Sequence, residues 1–288
     1  MAVSGKTKVY GVIGDPIEHS LSPAMQNAAF EASKLDCVFL AFKVKSEDGG
    51  KAVGGMRALG IQGLNVTMPH KNTVISFLDE VDQNAKLLNA INTIKNDGGR
   101  LYGLNTDGVG ALNALRGNGV EPKGKKVTLL GAGGAARAIA FALAAEVDEL
   151  SIVNRTLQSA ADLANLLRQK FNSKVVAYTL SSLAIKANLA DSDLLINASS
   201  VGMKPNFNQT PVPRRWLKKD LVVMDIVYSP VETKLAKDAK ASGAKVVSGV
   251  EMLVFQGAAS FEFWTGCKAP IEVMRKAALL NLLRVQKR

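Results

Sequence analysis

Two separate stretches of the sequence carry residue types that can do chemistry. The first, Asn65-Val66-Thr67-Met68-Pro69-His70-Lys71, ends in a lysine at the start of a helix predicted over residues 71–78. A lysine amine can donate or accept a proton. The second, residues 131–136, is rich in glycine and follows the apolar run 127–130, as in turns that hold a dinucleotide. Together they predict a nicotinamide-dependent oxidoreductase whose proton-transfer group lies outside its cofactor domain.

A carboxylate that can partner Lys71 follows another predicted strand. Asp107 comes after the strand-like residues 101–105, and α/β domains present polar groups at the carboxyl ends of their strands. A helix start would disfavour the ammonium form of Lys71 and favour proton exchange, whereas a neighbouring Asp107 would retain the positive charge. Simpler interpretations stay open: Lys71 as a solvated surface residue, and Asp107 as the N-cap of a linking helix over residues 107–118.

Other polar residues stand where a small ligand could be held. Ser20 and Ser22 place two hydroxyls just before a helix predicted over residues 22–33, where they could bind a carboxylate together with the helix start. Ser22 is equally suited to be the N-cap of that helix. Asn92 is a weaker candidate, from composition alone. Gln256 is polar within an apolar predicted helix, so it either faces a site or makes an internal hydrogen bond.

The glycine-rich stretch matches the dinucleotide-binding pattern. In Gly131-x-Gly133-x-x-Ala136 an alanine takes the third position, which is an accepted variant. Glycine allows the tight turn and lets backbone N–H groups approach the pyrophosphate, while the helix N-terminus adds partial positive charge. Glycines are also common in plain turns, but here a predicted strand precedes them and a helix predicted over residues 135–145 follows. We therefore expect a cofactor site.

The end of the second strand of this domain indicates which cofactor binds. NAD sites usually carry an acidic residue there for the ribose hydroxyls. This chain has Asn154-Arg155-Thr156, in which Arg155 can pair with a 2′-phosphate and Thr156 can add a hydroxyl. The alternative is that Arg155 is a solvated residue after a strand. The sequence favours NADP.

Alternating strand-like and helix-like segments place these residues in an α/β fold of two domains. The pattern predicts a substrate-binding and catalytic domain over residues 1–106 plus 250–288, and a Rossmann-like, doubly wound NADP-binding domain over residues 107–249. The C-terminal helices are expected to return to the first domain. Asn96-Asp97-Gly98-Gly99 predicts a hairpin turn. The predicted strands are residues 9–13, 38–44, 63–67, 90–94, 101–105, 127–130, 150–153, 174–177, 194–197, 221–225 and 245–247.

Length and composition bound the class of protein. The 288 residues favour two domains, and a hydrophobic content of 47% can bury a sizeable core. No apolar run is long enough to cross a bilayer, and residues 1–10 lack the apolar stretch of a signal peptide. The two cysteines, Cys37 and Cys267, give no disulfide framework, and only two histidines argue against a multi-histidine metal site. We expect a cytoplasmic protein without a metal or a membrane partner.

Because the formal net charge is +11, a nucleic-acid partner must be considered. The basic residues are scattered, with short clusters at residues 123–126, 214–219 and 284–288, and no basic stripe alternates with aromatic residues. We therefore expect no nucleic-acid partner. A positive field also suits an anionic small-molecule substrate and a phosphorylated cofactor.

These motifs, taken in order along the chain, resemble the shikimate dehydrogenase family over nearly the whole length. The resemblance implies the NADP-dependent, reversible reduction of 3-dehydroshikimate to shikimate in aromatic amino-acid biosynthesis. The matching segments are Gly14-Asp15-Pro16-Ile17-Glu18-His19-Ser20-Leu21-Ser22-Pro23 and residues 65–71, 90–93, 103–108, 131–137, 154–156, 197–203, 225–230 and 249–257.

The resemblance also implies a role for individual residues. Lys71 would transfer the proton at the carbonyl oxygen, working with Asp107. The substrate carboxylate would be held by Ser20 and Ser22 with help from Tyr228. The ring hydroxyls would be bound by Thr67, Asn92, Asp107 and Gln256. The cofactor would be bound by Gly131, Ala132, Gly133, Gly134, Ala135, Asn154, Arg155 and Thr156 and, near the nicotinamide, by Val227, Gly249 and Met252.

One departure from the family pattern leaves alternatives open. Members strict for NADP often carry a second basic residue shortly after the Asn-Arg-Thr triplet, but Leu157-Gln158-Ser159-Ala160 has no charge. The alternatives are a quinate/shikimate dehydrogenase that uses NAD or both cofactors, a paralogue preferring an amino-substituted analogue, and a non-catalytic NADP-binding regulator. The presence of both Lys71 and Asp107 argues against the regulator, because a protein that only binds NADP would not need them. The sequence leaves a monomer or a homodimer open.

Overall fold

The computed structural model describes residues 3–203 and 205–286. Its backbone forms two units: the first comprises Met1–Asp107 and Val254–Arg288, and the second comprises Gly108–Leu253. Residues 1, 2, 287 and 288 of the predicted first domain, with the end of the basic cluster at 284–288, lie outside the described residues. Within the described ranges, no helix is both long enough and apolar enough to cross a membrane.

The first unit is built on a mixed sheet with the strand order β2-β1-β3-β5-β6-β4. β1 pairs in parallel with β2 and β3, whereas β5 pairs antiparallel with β3 and β6. The carboxyl ends of β1, β3 and β6 and the start of β5 therefore share one edge of the sheet. The elements are β1 (Lys8–Gly14), α1 (Ser22–Ala32), β2 (Cys37–Lys43), α2 (Gly49–Ala58), β3 (Gly63–Val66), β4 (Glu80–Val81), α3 (Gln83–Leu88), β5 (Thr93–Asp97) and β6 (Arg100–Leu104).

The second unit contains a sheet in which all neighbouring strands are parallel, in the order β12-β11-β10-β7-β8-β9. This is the doubly wound order, with its switch point between β7 and β10, and it confirms the predicted Rossmann-like fold. The remaining elements are α4 (Asp107–Gly117), β7 (Lys126–Leu130), α5 (Gly134–Ala144), β8 (Glu149–Asn154), α6 (Leu157–Phe171), β9 (Val175–Thr179), α7 (Ser182–Asp191), β10 (Leu194–Asn197), β11 (Val222–Asp225), α8 (Lys234–Ala241), β12 (Lys245–Ser248), α9 (Gly249–Thr265) and α10 (Ile271–Gln286).

The C-terminal helices complete the core of the first unit. Successive side chains of a strand point to opposite faces, so Ile13 packs with α2 on one face of the sheet while Tyr10 lies on the other. The Tyr10 ring lies 5.1 Å from that of Phe30 in α1 and 5.4 Å from that of Trp264 in α9. The Trp264 indole N–H donates to the Ile94 carbonyl at 2.9 Å. These contacts fix α9, which carries Gln256, against the sheet.

The predicted hairpin is confirmed. Asp97 pairs with Arg100, so Gly98 and Gly99 form a two-residue loop between β5 and β6. Both glycines have positive φ, +58° and +94°, as a tight hairpin turn of matching twist requires.

The helix predicted over residues 71–78 is wrong. Lys71 lies in a turn, and the only regular structure in this stretch is a short 3₁₀ helix at Ile75–Phe77. The Thr73 hydroxyl donates to the His70 carbonyl at 3.3 Å. This side-chain hydrogen bond gives the carbonyl a partner other than the backbone hydrogen bonds of an α-helix. The helix start expected at residue 71, which would have acted on the Lys71 amine, is therefore absent from this stretch.

The prediction that Ser22 is the N-cap of α1 is also wrong. Leu21 occupies the cap position without a side-chain hydrogen bond, and Ser22 is already the first helical residue. The Ser20 hydroxyl instead accepts from the Ser22 backbone N–H at 3.3 Å. The Ser20 hydroxyl thus takes over the role expected of the Ser22 side chain, since it accepts a backbone N–H at the start of α1. The Ser22 hydroxyl does not cap the helix and can bind another partner.

Two helices of the second unit were not predicted, α7 and α8. Both are short, and both begin at a hydroxyl that accepts a backbone N–H bond: Ser181 from Ala184, and Thr233 from Ala236. These N-caps are the local sequence signal that could have identified the helices.

The burial of Tyr10 makes the first unit sensitive to alkaline pH. Burial raises the pKa of Tyr10 to about 12, against about 10 for the unfolded chain. A raised pKa in the folded state means that the stabilisation is complete below pH 10 and is lost as the pH rises towards 12, by about 2–3 kcal/mol. Urea unfolding between pH 9 and 12 should show a loss of stability in the wild type that exceeds the loss in Tyr10→Phe by about 2–3 kcal/mol. The half-buried Tyr102 of β6 provides the control Tyr102→Phe; an identical slope for wild type and Tyr10→Phe would contradict the expectation.

Candidate active site

Lys71 and Asp107 form an ion pair in the first unit. The Lys71 ammonium donates to Asp107 Oδ2 at 2.5 Å, and the side chains are 21% and 8% exposed. Lys71 is placed by the turn after β3, and Asp107 by the end of β6 and the first turn of α4. The Lys71 carbonyl accepts from the Ile91 backbone N–H at 2.8 Å, which fixes the turn to the start of β5. The two side chains form a largely desolvated ammonium–carboxylate pair, and Asp107 is more than a helix cap.

Asn92 fixes the second oxygen of the carboxylate. Its amide nitrogen donates to Asp107 Oδ1 at 2.8 Å and to the Thr106 hydroxyl at 2.9 Å. Its amide oxygen accepts from the Thr106 backbone N–H at 2.8 Å and from the Thr93 hydroxyl at 2.9 Å. Since the oxygen is taken by donors, the nitrogen of Asn92 must face Asp107. The structure thus brings Lys71, Asn92 and Asp107 into one hydrogen-bonded group.

Gln256 joins this group through α9. Its amide oxygen lies 3.4 Å from Asn92 Nδ2 and 3.5 Å from the Thr106 hydroxyl. One helical turn further, the buried Ser260 hydroxyl contacts the Thr93 hydroxyl at 2.8 Å and accepts from Asn65 Nδ2 at 3.1 Å. Sequence reasoning missed Asn65 and Ser260. The signal was present, because Gln256 and Ser260 are polar residues four apart in an apolar helix and so lie on one face.

The other predicted substrate residues lie at the same edge of the sheet but outside that group. Ser20 is half-buried and Ser22 is 7% exposed at the start of α1. Thr67 follows β3, and a Cβ on Gly14 would lie 2.5 Å from its methyl carbon, so Thr67 packs on the segment that leads to Ser20. Within residues 3–203 and 205–286, Ser20, Ser22 and Thr67 make no hydrogen bond to Lys71, Asn92 or Asp107.

In the second unit, the predicted cofactor turn joins β7 to α5. Gly131 has φ +115°, and a Cβ there would lie 2.8 Å from the Ala198 carbonyl oxygen, so only glycine fits. Gly133 is the N-cap of α5 with no side chain to cap it, and a Cβ there would meet nothing within 4 Å. Ala132 completes the turn, and Gly134 and Ala135 begin α5. The open helix start, with its backbone N–H groups, has the form of an anion site at the switch point of the sheet.

Arg155 and Thr156 are exposed directly after β8. Asn154 is half-buried, and its amide donates to the Thr156 carbonyl at 3.0 Å, which orders the turn between β8 and α6. In a doubly wound sheet, the end of this strand lies beside the ribose that carries the 2′ group. The exposed guanidinium of Arg155 therefore suits a 2′-phosphate, and no acidic residue occupies residues 154–160.

A second buried carboxylate lies at the carboxyl edge of this sheet, and the sequence analysis missed it. Asp225, 2% exposed at the end of β11, accepts from Asn197 Nδ2 at 2.9 Å, the Val227 N–H at 3.2 Å and the Thr233 hydroxyl at 2.6 Å. Burial raises the pKa of the Asp225 carboxyl, and the hydrogen bonds from Thr233, Val227 and Asn197 oppose that rise. An acidic residue closing an apolar strand was the available sequence signal.

Two of the predicted nicotinamide residues, Val227 and Gly249, lie on the backbone beside this carboxylate. Val227 donates its N–H to Asp225, and a Cβ on Gly249 would lie 2.4 Å from the Ile226 carbonyl oxygen, so the start of α9 packs directly on this backbone. Met252 lies in the first turns of α9. Burial raises the pKa of the Tyr228 hydroxyl above its ordinary value. Among the described residues, no group of three or more His, Cys, Asp or Glu side chains could hold a metal ion.

Comparisons with known proteins agree along the chain. The family model described as shikimate dehydrogenase substrate binding domain matches residues 12–94, shikimate/quinate 5-dehydrogenase matches residues 115–242, and shikimate 5′-dehydrogenase C-terminal domain matches residues 249–279. A shikimate dehydrogenase (NADP(+)) of Methanopyrus kandleri is 49% identical over 285 residues, which are 98% of each chain.

Solved structures extend the similarity to the fold. A crystal structure of a shikimate dehydrogenase in complex with NADP+ has a TM-score of 0.92 at 43% identity and covers 98% of both chains. A shikimate 5-dehydrogenase from Listeria monocytogenes, in complex with shikimate and NAD, has a TM-score of 0.90 at 37% identity and covers 96% of this chain and 98% of that chain.

Proposed function

The chain belongs to the shikimate dehydrogenase family, and from that premise we propose that it catalyses the NADP-dependent, reversible reduction of 3-dehydroshikimate to shikimate in aromatic amino-acid biosynthesis. The observation that carries the proposal is the Lys71–Asp107 ion pair, held in the first unit by Asn92. A protein that only bound NADP would have no use for a buried ammonium–carboxylate pair beside a cluster of amides and hydroxyls, so the regulator is disfavoured.

Each step of the reaction has a group in place. When bound, NADPH supplies the hydride that reduces the substrate carbonyl carbon. Lys71 donates a proton to the carbonyl oxygen, and in the reverse direction it accepts the proton of the hydroxyl. Asp107 orients the Lys71 amine through their hydrogen bond of 2.5 Å. Because Asn92 holds the other carboxylate oxygen, the amine has a defined position for proton transfer.

Substrate recognition is proposed for the remaining polar residues of the first unit and for Tyr228. Ser20 and Ser22, at the start of α1, and the Tyr228 hydroxyl bind the substrate carboxylate through donated hydrogen bonds. The ring hydroxyls are bound by Thr67, Asn92, Asp107 and Gln256. The substrate-binding domain then comprises residues 1–106 plus 250–288.

NADP binding is proposed for residues 107–249 and the start of α9. The turn from Gly131 to Ala135 holds the pyrophosphate on the backbone N–H groups at the start of α5, since glycine leaves the approach open. Arg155 pairs with the 2′-phosphate, with Asn154 and Thr156 beside it. The nicotinamide lies near Val227, Gly249 and Met252. We further propose that the enzyme is cytoplasmic and acts as a monomer or homodimer.

The proposal is tested by initial rates of cofactor reduction with shikimate and with quinate, each with NADP and with NAD. Fast turnover of shikimate with NADP alone supports it. Comparable quinate turnover, or a preference for NAD, would favour the second candidate, a quinate/shikimate dehydrogenase. One observation favours that candidate: Leu157 and Gln158, exposed directly after the Arg155 turn, offer no second positive charge to the 2′-phosphate.

Arg155→Ala should raise the Michaelis constant for NADP far more than that for NAD. The guanidinium interacts with the 2′-phosphate, which only NADP carries, and a charge-assisted hydrogen bond of this kind contributes about 1.5–3 kcal/mol, or about 10- to 150-fold in affinity. Lys186→Ala removes an exposed positive charge from α7 in the same unit. This control tests whether the loss of any positive charge in the unit weakens cofactor binding. Equal effects of Arg155→Ala on both cofactors would refute the assignment.

A further inference from the structure

The Asp225 carboxylate is held in an unusual way for a buried charge. Neither Lys nor Arg forms an ion pair with it among the described residues, and its partners are an amide, a backbone N–H and a hydroxyl. Asp107, by contrast, is paired with the Lys71 ammonium. Burying a carboxylate without a cation costs stability, and an apolar residue would fill the position at lower cost. Asp225 therefore contributes a fixed geometry to the fold.

The first segment that Asp225 fixes is the loop after β10. Asn197 donates its amide to Asp225, and its amide oxygen accepts from the Ser199 hydroxyl at 2.6 Å and from the Ser199 N–H at 3.2 Å. This orients the Ala198 carbonyl, which lies against the Cα of Gly131 in the cofactor turn. Asp225 thus fixes the side chain of Asn197 and, through it, the backbone of the loop after β10.

The second segment follows β11. The Val227 N–H donates to Asp225 Oδ1, and the Ile226 N–H donates to the Asn197 carbonyl at 3.1 Å. The same backbone is in contact with Gly249 on its other side. The third partner, Thr233, uses one hydroxyl twice: it donates to Asp225 Oδ2 at 2.6 Å and accepts from the Ala236 N–H at 3.1 Å as the N-cap of α8.

We propose that Asp225 is a positioning residue for hydride transfer: its carboxylate sets the loop after β10 and the Val227 backbone relative to each other, and thereby the orientation of the nicotinamide. The inference rests on the proposed function, which places the nicotinamide near Val227. Asp225 touches neither substrate nor cofactor and acts through Asn197 and Val227. The pyrophosphate and 2′-phosphate contacts lie elsewhere, so a disturbed Asp225 should lower kcat much more than it weakens NADP binding.

The test compares Asp225→Asn and Thr233→Val with wild type in the full chain. Asp225→Asn places an NH₂ group where the Thr233 hydroxyl now donates, and Thr233→Val removes that donor at nearly constant volume. Both should lower kcat for shikimate about 10- to 100-fold, the scale expected for a small misplacement of reacting groups. The dissociation constant of NADP, measured by fluorescence, should change less than about threefold. Thr233→Ser, which keeps the hydroxyl, should restore most of kcat.

Two controls separate positioning from a structural role. Thr128→Val makes the same change at a fully buried threonine of the same sheet, whose hydroxyl lies 2.6 Å from that of Ser192. Ser181→Ala removes only an N-cap, that of α7. Both controls should lower the melting temperature without lowering kcat.

Two results would overturn the inference while leaving the proposed function intact. One is a wild-type kcat in Asp225→Asn and Thr233→Val; the other is a kcat loss in Thr128→Val as large as that in Thr233→Val. A wild-type protein that does not turn over shikimate with NADP would instead remove the proposed function.

Discussion

Lys71→Ala is expected to lower kcat for shikimate oxidation by about 10²- to 10⁴-fold, the usual contribution of a positioned proton-transfer group. The substrate hydroxyl must lose its proton as the hydride leaves, and Lys71 is the amine that Asp107 and Asn92 hold in place for this step. Initial rates with saturating NADP measure the effect. The dissociation constant of NADP should stay near the wild-type value, because the proposed cofactor contacts lie in the second unit and the start of α9.

Lys51→Ala is the matched control for the first unit. Lys51 forms an ion pair of 2.8 Å with Asp48, but its side chain is 83% exposed, so its removal should change neither stability nor turnover measurably. Unchanged turnover in Lys71→Ala would remove Lys71 from the mechanism. A loss of NADP affinity equal to the loss of turnover would indicate that the variant disturbs the fold and not the proton transfer.

Gly131→Ala is expected to destabilise the protein and to abolish measurable NADP binding. An alanine at φ +115° is strained, and its Cβ would lie 2.8 Å from the backbone oxygen of Ala198, which no side-chain rotation can relieve. The strain costs about 1–3 kcal/mol, and relief of it must displace the turn that receives the pyrophosphate. Thermal unfolding without cofactor and a fluorescence titration with NADP measure the two effects.

Gly133→Ala, two residues after Gly131, tests whether an added methyl group blocks the cofactor where it causes no backbone strain. Gly133 has φ −77°, and a Cβ there would meet nothing within 4 Å, so the variant should be as stable as wild type without cofactor. Its methyl group nevertheless occupies the exposed helix start where the pyrophosphate approaches, so NADP should bind more weakly. Equal stability of the two variants without cofactor would contradict the account of Gly131, and unaltered NADP affinity in both would show that this turn does not hold the cofactor.

Local patterns predicted the turn between β7 and α5 well because its elements are defined by neighbouring residues. The apolar run of β7 followed by Gly131 and Gly133 specifies a strand, a turn and a helix with no help from distant contacts. The stretch after Lys71 shows the limit of that reasoning. Its spacing suggests a helix, but Thr73 offers the backbone an alternative hydrogen bond, and the turn at Lys71 is tied to Ile91, twenty residues later.

The contacts among the polar groups behind the candidate site could not be predicted from the sequence, for a different reason. Ser260 meets Asn65 and Thr93 across separations of 195 and 167 residues, and no local pattern reports such contacts. Asp107 was identified because it follows a strand and falls in a recognisable motif. Asp225 also ends a strand, but its partners Asn197 and Thr233 become visible only when β10 and β11 lie side by side.

The division of the chain into two units also determines the order in which its parts can fold during synthesis. Gly108–Leu253 is continuous in sequence, whereas the first unit needs Val254–Arg288, which carries Trp264, Ser260 and Gln256, to close its core and its polar group. During synthesis from the N-terminus, the nucleotide-binding half can therefore fold while the half made first still waits for its last helices. Proteolysis of stalled chains should find Gly108–Leu253 protected before Met1–Asp107. The proposed proton-transfer pair of Lys71 and Asp107, encoded early, is thus among the last parts of the chain to be completed by its surrounding polar groups.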